Sequence, residues 1–73
     1  MIKVGKLAKY KTDDTVLVEI VSTYNKADID PNCPESVAII GMVKVVYISG
    51  SEQGKHRALS TRNFYHFWEV IND

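Results

Sequence analysis

The sequence predicts a mainly β domain, a small five-stranded barrel with a short helical turn near the C-terminus, and three observations carry that reading. At the N-terminus, Ile2, Val4, Ala8 and Tyr10 share one parity while Lys3, Lys9 and Lys11 share the other, the period-2 alternation of a half-buried strand. Two β-branched runs, "TVLVEIVSTY" over 15–24 and "VAIIGMVKVVYIS" over 37–49, supply further strands. Helical signals are confined to the last stretch, "LSTRNFYHFWEVIND". With 73 residues there is room for one domain, residues 1–73, whose folding buries only roughly 60% of the surface the unfolded chain exposes.

The elements follow in order. After the first strand, "KTDDT" reads as a turn, because aspartate side chains bond nearby backbone amides. The second strand covers 15–24. "NKADIDPNCPES" over 25–36 carries both prolines and several turn formers and reads as a linker-like loop. Kept straight, the third strand would be about 43 Å long at ~3.3 Å per residue, too long for so small a domain, so a bend is expected. Gly41 is its natural hinge, since barrel corners and bulges use a residue without a Cβ. "GSEQG" over 50–54 closes a hairpin and "KHRALS" returns from it.

The tail parses in two ways. In one, Ser60 or Thr61 caps a helix with Phe64, Phe67 or Trp68, and Ile71 on one side. In the other, preferred here because Val70 and Ile71 favour strands, a single helical turn near 60–66 precedes a closing strand "FWEVI". Phe64, Phe67 and Trp68 are expected to plug the core, leaving Tyr65 and His66 at the surface.

Nine basic and nine acidic residues cancel, which removes the strong positive field of non-specific nucleic-acid binders. Cys33 is alone, so no internal disulfide forms, and a lone thiol suits a reducing cytoplasm. Lysines interrupt the N-terminus, which therefore lacks the apolar core of a signal peptide, and "VAIIGMV" is far short of the ~20 residues that span a bilayer. A cytoplasmic protein without a membrane partner is expected.

Catalytic and metal signatures are sparse. Asp28, Asp30 and Asn32 have the D-x-D-x-N spacing that opens a calcium loop, but its sixth and twelfth positions hold Cys33 and Ile39 instead of glycine and glutamate. An Asx-type turn is the expectation there. Cys33, His56 and His66 are too far apart in sequence for a local zinc motif, and no glycine-rich phosphate loop is present. The sequence points to no enzyme, no catalytic or metal-binding residue and no cofactor. One basic cluster remains: Lys55, His56, Arg57 and Arg62, with Tyr65 and His66 nearby, form the candidate binding surface. Basic and aromatic side chains on a small barrel can stack and neutralise single-stranded nucleic acid, whereas the plain alternative is a solvated charged hairpin.

The order of strands, tight hairpin, helical turn and short last strand resembles that of small SH3-like barrels. Val45–Tyr47 with Phe64, Phe67 and Val70 also resembles a V-x-Y strand and F-x-x-F-x-x-V finish of uncharacterised phage and prophage accessory proteins, over about the last third of the chain. The acidic, aromatic-rich loop and paired tryptophans of polyproline-binding SH3 domains are absent, so that specificity is not implied. The resemblance implies a non-enzymatic module that binds a host protein, with a small nucleic-acid-binding barrel as the alternative. Both parities of 37–43 are apolar, so either the tail or the 25–36 loop covers the second face, or a second copy does, as a homodimer.

Overall fold

The computed structural model describes residues 2–71, which form five strands and one helix. They are β1 (Leu7–Tyr10), β2 (Asp13–Asp30), β3 (Cys33–Tyr47), β4 (His56–Ser60), α1 (Thr61–Phe67) and β5 (Trp68–Ile71). All neighbours are antiparallel, in the order β4-β3-β2-β1-β5. No pairing joins β4 to β5 among the described residues, so the sheet stays open and is a barrel only loosely.

Local chemistry explains most boundaries. Gly5, at φ +90°, turns the chain into β1, and its amide donates to the Ile20 carbonyl at 2.8 Å. The first strand is therefore shorter than the alternation predicts. The Asp13 carboxylate accepts from the Thr15 amide at 3.0 Å and from its hydroxyl at 2.6 Å, which fixes the turn between β1 and β2. Gly50 and Gly54, at φ +90° and +89°, frame the turn into β4 as their positions suggested. Ser60 caps α1, its hydroxyl accepting from the Asn63 amide at 3.1 Å, and the Trp68 amide closes the far end on the Phe64 carbonyl. One short helix followed by a strand is the preferred parsing of the tail.

The β2–β3 hairpin corrects two expectations. The 25–36 segment is not a linker: β2 runs through Tyr24 to Asp30, and β3 begins at Cys33, so a single long hairpin replaces the loop. Turn chemistry is confined to its tip, where the Asp30 carboxylate accepts from the Asn32 amide at 2.9 Å in the Asx arrangement. Pro34 falls where the ladder is already interrupted, between the Ile29–Val37 and Asp30–Cys33 pairs, so its missing N–H costs no regular bond. The second correction concerns Gly41. The irregularity lies in the partner strand, where pairing steps from Ile20–Val45 to Ser22–Lys44 and leaves Val21 as the extra residue of a bulge. Gly41 serves close approach instead: a Cβ there would stand 3.0 Å from the Thr61 hydroxyl at the start of α1.

The core occupies one end of the molecule. Ala8, Val18, Ile20, Val43, Val45 and Phe64 are fully buried and Trp68 is 3% exposed. Phe64 and Trp68 cover the sheet as expected, but Phe67 does not plug it. It is 43% exposed and stacks on Tyr10: it is the last residue of α1, and the inward position next to it is taken by Trp68, the first residue of β5. Beyond Tyr24 and before Met42, where pairing with β4 ends, the hairpin leaves this base as a two-stranded arm. From Thr23 to Ile39 only Cys33 is even half-buried. The arm explains the dimensions of 43 × 24 × 20 Å and a radius of gyration of 14.0 Å, where a compact chain of this length has about 11 Å.

Candidate interaction surfaces

Strand alternation disperses the cluster of basic and aromatic residues singled out in the sequence. His56 and Arg57 are neighbours on β4 and so point to opposite faces of the sheet. Lys55 turns to Glu52, at 2.7 Å, and this hydrogen bond, reinforced by the carboxylate's charge, raises its pKa. Arg62, Tyr65 and His66 ride on exposed parts of α1. The Tyr65 ring lies edge-on to Phe64 and its carbonyl accepts from the Lys11 ammonium at 2.6 Å, while His66 lies edge-on to Phe67. Tyr65 and His66 are at the surface, as expected. His56 is turned away from Arg57, so the six residues do not all share one surface.

Of these residues Arg57 lines an aromatic cleft. It faces Val45 across the β3–β4 ladder, and Tyr47, two residues further along β3, lies diagonally beside it on the same face. The Arg57 guanidinium donates to the Tyr47 hydroxyl at 3.4 Å. Trp68 forms the floor, with Tyr10 and Tyr47 edge-on to it at 5.1 and 5.8 Å between ring centres. Thr12, Asp13 and Val16 complete a cleft of about 520 Å³, within the range that holds small ligands or peptide side chains. An extension of about 150 Å³ continues past Leu59, Asn63 and Phe67. Asp13 carries its charge readily, because the Thr15 hydroxyl and then the Thr15 amide stabilise the carboxylate and lower its pKa. No carboxylate lies within ion-pair distance of Arg57 among the described residues.

The sequence did not reveal this cleft because Tyr10, Tyr47, Arg57 and Trp68 come from four separate strands. Only the sheet order brings them together. The one available signal was the half-buried parity of Tyr10 and Tyr47, which a core reading absorbs.

A second hollow, of about 400 Å³, lies at the root of the arm between Ile2, Thr23, Tyr24, Asn25, Gly41, Met42, Thr61 and Tyr65. Among the described residues no group of three or more His, Cys, Asp or Glu side chains is placed to hold a metal ion, and no helix is long and apolar enough to cross a membrane. Cys33 sits at the tip of the arm with its thiol 3.5 Å from the Glu35 carboxylate. Comparison with protein-family models, with curated proteins and with solved structures returned no match to this chain.

Proposed function

We propose that the protein is a non-enzymatic interaction module whose aromatic cleft takes an extended segment of a partner protein. The observation that carries this reading is the Arg57 guanidinium, set over a floor of Trp68 between Tyr10 and Tyr47 with no carboxylate of its own. An apolar side chain entering between the tyrosines would bury aromatic surface, and an acidic neighbour would complete Arg57 with a charge-assisted hydrogen bond. Tyr and Arg flanking a pocket are also the residue types that dominate binding energy at interfaces. A phage or prophage accessory factor acting in the cytoplasm on a host protein would use such a surface, an origin that rests on the resemblance of the chain's last third.

Selection from a random peptide library tests the reading. Enrichment of an acidic residue beside an aromatic or aliphatic one is expected, and Arg57→Glu should switch the preference from acidic to basic peptides. Enrichment unchanged by Arg57→Glu, or no enrichment, contradicts the cleft as the binding site. The nucleic-acid alternative has lost its compact basic patch. It would regain support from low-salt binding to single-stranded DNA that weakens by about 0.7 log–log units for each phosphate neutralised.

A further inference from the structure

We propose that the arm is the dimerisation element, and that two copies stack their arms antiparallel, each tip seated in the hollow at the root of the other. On β3, Val45, Val43, Gly41, Ile39 and Val37 alternate onto one face, and register adds Thr23, Asn25, Ala27 and Ile29 from β2. At the base this face is the buried core. Along the arm it continues with Ile29, Val37 and Ile39 at 55, 51 and 66% exposure.

The charges are sorted away from it. Lys26 and Asp28 alternate onto the opposite face, and Asp30 and Glu35 lie in the irregular tip. Among the described residues neither the tail nor a loop covers the apolar side, which is how the expectation of a covering element resolves within one chain. A two-stranded ribbon standing alone in water is marginally stable, so this face needs a second layer.

A second copy fits because the arm carries both halves of a reciprocal contact. The root hollow opens beside the same face, where Gly41 and Asn25 meet Thr61 and Tyr65 of the adjoining helix. From the Asn25–Gly41 pair to the tip at Pro31 the arm extends roughly 20 Å at ~3.3 Å per residue. A two-fold axis between the Ala27–Ile39 and Ile29–Val37 pairs sets each of these pairs over the other in the second copy. The same operation brings Pro31 and Asn32 over the partner's root hollow, whose 400 Å³ can take two turn residues. The contact is isologous and closes, so it yields dimers, not fibres. Stacking two ribbons of this size buries on the order of 1,000 Å², near the lower bound of a specific interface, so a weak and reversible dimer is expected.

The test combines sedimentation with one distance. Twice the mass of the chain is expected at roughly 100 μM, falling to the monomer on dilution, with Ile39→Asp weakening association at least tenfold and Ile39→Leu leaving it within about twofold. Ile39→Asp should keep the near-ultraviolet circular dichroism of the base, since Ile39 lies outside the core. Cys33, the single cysteine, accepts a spin label at the tip, and because it pairs with Asp30, two residues beyond the two-fold axis, antiparallel arms place the two labels about 17 Å apart. A monomer at every concentration, an unaltered Ile39→Asp dimer, or labels within about 10 Å of each other, as arms with their tips side by side would give, overturns the proposal. Arg57→Glu, which disables the cleft, should leave the dimer intact, so the two readings fail separately.

Discussion

The base and the arm are made from the same two strands, yet only one of them has an interior. β2 and β3 pass without a break from a region where Ile20, Val43 and Val45 are sealed from water to one where Ile29, Val37 and Ile39 stand in it. Strand propensity and alternation are similar on both sides of the Val21 bulge. What differs is the second layer: Phe64 and Trp68, delivered by α1 and β5, cover the base, and Thr61 at the start of α1 meets the sheet at Gly41. A hydrophobic face makes a core only where something is placed against it.

The largest effect that sharpens this contrast is expected from Phe64→Ala. Truncating a fully buried aromatic should cost about 3–5 kcal/mol, enough to unfold much of a domain this small. Ile29→Ala on the arm, measured by denaturant midpoint in dilute solution, should change stability by less than about 0.5 kcal/mol. Comparable losses at the two positions would break the division. Next comes the boundary itself: Gly41→Val should cost more than ~1 kcal/mol by driving a side chain into the Thr61 hydroxyl, and Thr61→Ala should recover part of that loss. If Thr61→Ala recovers nothing, Gly41 is not where the helix meets the sheet.

Ser60→Ala should cost about 1 kcal/mol through the lost cap of α1, and it should raise the exchange of the first helical amides without affecting the arm. The smallest effect belongs to Asp13. Its carboxyl titrates below the ordinary value of 3.8 in the folded chain, so its contribution is present above that value and is lost as pH falls through the folded pKa. Stability measured from pH 6 down to pH 2 should therefore fall slightly less in Asp13→Asn than in the parent. An identical decline would remove Asp13 from the turn's electrostatics.

The base was largely legible in the sequence because its signals are local. Ser60 before a helical turn, glycines bracketing "SEQ", and Val70 with Ile71 in the last strand each constrain their own neighbourhood. The arm was not. "NKADIDPNCPES" holds turn formers in abundance, and only cross-strand pairing of Lys26 with Ile40 or Ala27 with Ile39 makes most of it strand, a property of two segments at once. Gly41 was rightly marked as special and assigned the wrong task, because the Thr61 hydroxyl that excludes its Cβ is twenty residues away in sequence. The basic cluster is divided for the converse reason: His56 and Arg57 are adjacent on β4, and adjacent residues of a strand take opposite faces of the sheet.

The central claim is that one chain supplies an interior for its base and none for its arm, and hydrogen exchange of the cross-strand amides tests it most directly. In dilute solution the amides of Val18, Ile20, Val43 and Val45 should exchange slowly, near the limit of global unfolding, while those pairing 24–29 with 37–42 exchange orders of magnitude faster. Raising the protein concentration should slow the arm alone. Equal protection of arm and base in a dilute monomer would contradict the account, because the arm would then hold together without any second layer.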